Sequence, residues 1–163
     1  MRLMTAALLA SLALPAMAQD GEIITKQYDD GSVYEGTFKD GRQDGTGTYK
    51  LPSGFEYTGD WVAGEITGQG VARYPNGSVY EGAFVKGQPE GKGKITAPDG
   101  RTYEGDWVQG QMTGMGKATY ANGSVYEGAF VKGTHNGKGK LTNPSGYTYD
   151  GDWVLGVKEG TGR

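Results

Sequence analysis

Tyrosine stands at Tyr34, Tyr57, Tyr80, Tyr103, Tyr126 and Tyr149, and every gap is 23 residues. A unit that short cannot bury a core of its own, so each copy must pack on its neighbours along an array. The tyrosines keep fixed company. Two residues on comes glycine, at Gly36, Gly59, Gly82, Gly105, Gly128 and Gly151. Two further on comes a large aromatic, at Phe38, Trp61, Phe84, Trp107, Phe130 and Trp153. Another glycine follows at Gly41, Gly64 and their equivalents, and a G-x-G step such as Gly45-Thr46-Gly47 closes each unit. Phe and Trp alternate strictly, which adds a second period of 46 residues, and Asn76–Gly87 returns unchanged as Asn122–Gly133. A half copy, Tyr28–Val33, precedes the first full one.

Inside each copy the period is two, which predicts strands. Tyr34, Gly36 and Phe38 fall on one face, with Val33, Glu35 and Thr37 on the other. A second strand near the G-x-G puts Gly45, Gly47 and Tyr49 together and leaves Thr46, Thr48 and Lys50 wet. Asp30-Gly31, Asn76-Gly77, Asn122-Gly123 and their equivalents predict tight hairpin turns with two positive φ values. The expected fold is all-β: an open single-layer antiparallel β-meander of about six 23-residue hairpins. About 12 strands, roughly 4.8 Å apart, would make a ribbon about 60 Å long.

Composition narrows the function classes. Glycine fills 31 of 163 positions, which disfavours helix, while 11 tyrosines argue against simple disorder. Cysteine is absent and there is one histidine, so disulfides, thiol chemistry and multi-histidine metal sites are excluded. A net charge of −3 argues against nucleic acid as the main partner.

The first residues read as an address rather than as fold. Arg2, an apolar run from Leu3 to Leu14, Pro15 and the small-x-small step Ala16-Met17-Ala18 have the pattern of a secretory signal peptide. The expected organisation is a signal peptide at 1–18, a linker at 19–27, and the array at 28–163. Cleavage near Ala18 would leave an exported chain, periplasmic or secreted.

The pattern Y-E-G-x-[FW]-x-x-G-x-x-x-G-x-G, as in Tyr34–Gly47, Tyr80–Gly93, Tyr103–Gly116 and Tyr126–Gly139, resembles the MORN (membrane occupation and recognition nexus) repeat. The resemblance runs from Tyr28 to Arg163, with Thr58 and Asp150 where glutamate is usual. It implies an interaction scaffold linked to membrane association, phospholipid headgroups or protein assembly. Some relatives carry kinase or methyltransferase domains beside the repeats, and no such domain is expected within these 163 residues.

Candidate chemistry is sparse, and no catalytic, cofactor or metal site is expected. His135 falls in a glycine-rich connection. Glu35, Glu81, Glu104, Glu127, Asp60, Asp106 and Asp152 recur in like environments, whereas an acid–base pair needs unlike ones. Gly133–Lys138 has three residues between its glycines, where a phosphate loop has four.

Two surface features remain. Lys86, Lys92 and Lys94 repeat as Lys132, Lys138 and Lys140, a ladder suited to anionic lipid or envelope glycan. Its plainer reading is a solvated face that discourages edge aggregation. Tyr49, Phe55, Tyr74, Tyr120 and Tyr147 vary between copies and are the expected contacts for a protein partner. The motif aromatics are expected to form the core, although an open sheet is not expected to cover every ring. The overall expectation is a non-enzymatic scaffold at the cell envelope. Exposed end strands allow an end-to-end homodimer.

Overall fold

The structure is a computed structural model and describes residues 21–160. The expected signal peptide lies outside the described residues, as do 161–163 at the end of the last repeat. Thirteen strands form one sheet in strict sequence order. They are β1 (Ile24–Gln27), β2 (Val33–Lys39), β3 (Arg42–Lys50), β4 (Glu56–Val62), β5 (Glu65–Arg73), β6 (Val79–Val85) and β7 (Gln88–Thr96), followed by β8 (Thr102–Val108), β9 (Gln111–Thr119), β10 (Val125–Val131), β11 (Thr134–Thr142), β12 (Thr148–Val154) and β13 (Val157–Glu159). Every neighbouring pair is antiparallel. The single-layer meander is therefore as expected. One expectation is corrected: residues 24–27, assigned to a linker, form β1 and start the sheet. Ile24 stands opposite Gly36, where later copies place glycine. No upstream tyrosine needs that space, so a branched side chain closes the end of the core.

Each of the first five repeats alternates a seven-residue strand with a nine-residue one. The longer strand carries two extra residues, and the register shifts between Gly36 and Phe38 to absorb them. The same shift recurs in every later full repeat.

Turn chemistry differs from the expectation. The tight turns with two positive φ values lie at the other connection, as in Lys86 (φ 49°) and Gly87 (φ 78°). The Asn-Gly steps sit in longer loops. In Tyr74–Ser78 only Gly77 has positive φ (85°). Its N–H donates to the Tyr74 carbonyl at 2.9 Å, while Asn76 Oδ1 accepts the Ser78 N–H at 2.9 Å. The Tyr74 N–H also donates to the Ser78 carbonyl at 2.9 Å, so the five-residue loop closes on a three-residue turn with a glycine bulge, the other common hairpin solution.

Glycines form a continuous stripe across the sheet. Gly36, Gly47, Gly59, Gly70, Gly82, Gly93, Gly105, Gly116, Gly128, Gly139 and Gly151 are register neighbours in that order. The stripe makes room for the motif tyrosines, which lie flat across it. A Cβ on Gly47 would overlap the Tyr34 ring, and one on Gly93 the Tyr80 ring. Each tyrosine hydroxyl reaches the carbonyl three residues on, as from Tyr80 to Ala83 at 3.0 Å and from Tyr103 to Asp106 at 2.8 Å.

The core is therefore a line of rings rather than a layer. From Phe38 to Tyr149 the motif aromatics touch edge to face in an unbroken zigzag, with centroids 4.9–5.7 Å apart. Such contacts add about 0.5–1.5 kcal/mol each beyond area burial. All twelve motif rings are at most 8% exposed, so the open sheet covers them after all. Tryptophan has a further reason to alternate. The indole N–H of Trp61, Trp107 and Trp153 donates to the carbonyl of Gly47, Gly93 and Gly139 at 3.3, 3.0 and 3.0 Å.

Candidate functional site

With the core accounted for, three surfaces remain: two long edges and the polar face. On the five-residue-loop edge, the structure brings most of the expected partner contacts together. Tyr74 and Tyr120 open their loops, Phe55 and Tyr147 close theirs, and Tyr49 lies just inside on β3. Phe55 and Tyr74 meet at 5.7 Å, and Tyr49 packs on Trp61 at 5.8 Å and on Tyr28 at 6.5 Å. Each is half-buried except Tyr147, which is exposed and carries the Lys158 ammonium 4.6 Å from its ring centre. These rings stand on the core and present their outer sides along one edge of the ribbon.

The lysines are not brought together as a basic field. Lys86 and Lys132 sit in the tight turns, with their N–H groups capped by Thr67 and Thr113 Oγ1 at 3.2 and 3.1 Å. On the polar face Lys92 pairs with Asp106 at 2.5 Å and Lys138 with Asp152 at 2.7 Å. Lys94 stands between Glu81 and Glu104, and Lys140 between Glu127 and Asp150. Across β6–β12 the register runs Glu81, Lys94, Glu104, Lys117, Glu127, Lys140, Asp150, so charge alternates strand by strand. A shallow groove of about 820 Å³ follows the glycine backbone between this row and the row holding Lys92 and Met115.

The recurrent acids have structural work. Asp60 Oδ2 accepts the Gln69 N–H at 2.7 Å, and Asp106 Oδ2 accepts the Met115 N–H at 2.8 Å. Each caps the bulge that the extra residues create. Thr37 does the same for Thr46 at 3.1 Å. The Lys92 ammonium and the Met115 N–H hold the Asp106 carboxyl below its ordinary pKa. Lys117 acts likewise on Glu127, 2.8 Å away.

His135 is not in a connection. It lies in β11, stacked on Tyr126 with centroids 3.6 Å apart and planes 8° apart. Its Nε2 lies 2.6 Å from the Tyr120 hydroxyl, and Phe130 and Trp153 flank it. Burial pulls the imidazole below its ordinary pKa. Burial also pushes the phenols of Tyr34, Tyr57, Tyr80 and Tyr103 up to about 12.

Sequence reasoning missed two rows. Gln43, Ile66, Pro89, Met112, His135 and Lys158 each stand opposite the motif Phe or Trp. No shared residue type marks them. The second row is apolar and exposed: Val62, Val85, Val108, Val131 and Val154 are 44–54% exposed at the tight-turn edge of the polar face. Their 23-residue spacing was visible in the sequence, but their exposure follows only from the facing of the strand end.

Among the described residues no helix is long and apolar enough to cross a membrane, and no group of three or more His, Asp or Glu side chains is placed to hold a metal ion. A segment of 50 residues is 42% identical to Alsin of Rattus norvegicus, covering 28% of this chain and 3% of that protein's length. Among solved structures, the chain is similar to the TCP domain of SAS-4 of Drosophila melanogaster, in complex with a proline-rich motif of Ana2. That similarity has 16% identity, covers 93% of this chain and 99% of the other, and has a TM-score of 0.43. The profile of the MORN repeat matches residues 34–55, 57–79, 80–100, 103–125, 126–146 and 149–163. Six matches in one register, on hairpins whose tyrosine, glycine and aromatic positions each have a defined packing role, establish that this chain belongs to the MORN repeat family.

Proposed function

We propose that this repeat scaffold is an exported, non-enzymatic protein that holds a protein partner at the cell envelope, with the partner seated along the five-residue-loop edge. The observation that carries the reading is the division of labour among the rings. The motif aromatics are consumed by the core, while Phe55, Tyr74, Tyr120 and Tyr147 stand on one edge with surface to spare. Aromatic rings on a rigid support are favoured anchors for protein contacts. The expected export rests on the signal-peptide pattern of residues 1–18. Asp60, Asp106, Glu127 and Asp152 support a non-catalytic reading, because bulge capping and ion pairing already engage them. Crosslinked affinity capture tests the proposal, comparing the natural chain with F55S/Y74S/Y147S. A stoichiometric protein retained by the first and lost from the second supports it. Lipid or glycan without a protein, or turnover of a substrate, overturns it.

A further inference from the structure

The polar face of β6–β13 has a property the rest of the sheet lacks: it is complementary to itself. Lysines of the central row lie on odd strands and carboxylates on even ones. Consider two copies face to face, related by a two-fold axis that runs along the strand direction between β9 and β10. Strand β7 of one copy then faces β12 of the other, β8 faces β11, and β9 faces β10. Odd always meets even. Lys94 therefore meets Asp150, Glu104 meets Lys140, and Lys117 meets Glu127.

The adjacent row obeys the same operation. Lys92 meets Asp152, Asp106 meets Lys138, and Met115, 58% exposed, meets Ala129 beside the axis. At the tight-turn edge Val85 meets Val157, which is 62% exposed, and Val108 and Val131 fall between the partner copy's side chains. Among the described residues no like charges are opposed in either row. In β2–β5 the same central row reads Glu35, Thr48, Thr58 and Val71, so the charge alternation stops there.

We infer that this face is a docking surface for a second copy of the same chain, joined antiparallel as an isologous dimer. Isologous contacts require such a reciprocal pattern, in which residue i meets j and j meets i. Two sheets packed face to face lie about 10 Å apart, a span that a lysine and a carboxylate side chain can bridge. Eight overlapping strands give a face of about 38 by 22 Å, close to the roughly 800 Å² per partner of a standard interface. The valines and Met115 supply apolar contact, and the charge rows fix the register, which is the role such complementarity plays best. This surface is separate from the aromatic edge, so the two proposals fail independently.

Light scattering on the purified protein at about 100 µM tests the inference. The natural chain is expected at twice the monomer mass, and V85K/V108K/V131K, which touches no motif position, at the monomer mass. K94E/K117E/K140E and E104K/E127K/D150K are each expected as monomers, and their mixture as a heterodimer. Folding of each variant is checked by circular dichroism. If a charge variant does not fold, the valine variant decides. The variant F55S/Y74S/Y147S should remain dimeric. A natural chain that is monomeric at that concentration, or a dimer unchanged by the valine variant, overturns the inference. So does failure of the two folded charge variants to pair.

Discussion

The ring of Tyr80 fills the space that a Cβ on Gly93 would need. Two residues, on neighbouring strands, are thus a single packing unit. The G-x-G step exists as much for a ring in the preceding strand as for the backbone it sits in. Gly93→Ala should therefore destabilise the protein by at least about 2 kcal/mol, because a buried ring must move. Gly100→Ala, at φ +84° with open space around it, should cost only about 1 kcal/mol of backbone strain. Urea denaturation of both variants makes the comparison, and equal losses would show that the ring does not set the requirement.

The tryptophan bonds predict a graded series. Trp153→Phe and Trp107→Phe each remove a 3.0 Å hydrogen bond to a glycine carbonyl, and Trp61→Phe removes a longer one of 3.3 Å. Losses of about 1–3 kcal/mol are expected for the first two and less for the third. Melting temperatures in one buffer give the order.

These relationships show what the sequence could and could not tell. Strand periodicity, the 23-residue spacing and the facing of Tyr34, Gly36 and Phe38 were readable, because each is a local pattern. The position of the tight turns was not. Asn76-Gly77 has the composition of a two-residue turn, but five residues separate the ladders there, and the chain uses one positive φ instead of two. His135 looked like a loop residue for the same reason: its neighbours Gly133 and Gly137 are a turn and a bulge, yet it sits between them in a strand. The lysine ladder was visible as a list of positions. That Lys92, Lys94, Lys138 and Lys140 each have carboxylate neighbours depends on cross-strand register, which the bulges set and which no single repeat reveals.

Acid should expose the bulge cap. The Asp106 pKa is lowered, first by Lys92 and then by the Met115 N–H. A carboxylate depressed in the folded state contributes stability above its unfolded pKa, roughly 3.9, and loses that contribution as pH falls through the folded value. Denaturation midpoints of the natural chain should fall below about pH 4, and those of Asp106→Asn should fall less steeply. Parallel curves for the two proteins would assign the acid loss to other groups.

His135 gives a second, milder pH dependence. Burial lowers its pKa, so the folded state holds it neutral while the unfolded chain protonates near 6.5. Its contribution is fully present above that value and declines as pH falls below it. His135→Met places in β11 the residue that Met112 supplies one repeat earlier. Stability of this variant should be flat between about pH 7 and 5, where the natural chain declines. A nuclear magnetic resonance titration of the imidazole measures the shift directly.

On the proposed function, the aromatic edge is where this scaffold meets its partner. The most direct measurement is quantitative crosslinked capture with the natural chain, the edge variant F55S/Y74S/Y147S and the polar-face variant V85K/V108K/V131K, run side by side with protein and lipid mass spectrometry. One stoichiometric protein is expected with the natural chain and the polar-face variant, retained at moderate salt, and its loss from the edge variant alone. The same protein captured equally by the edge variant, or anionic lipid enriched with no protein at all, would contradict it.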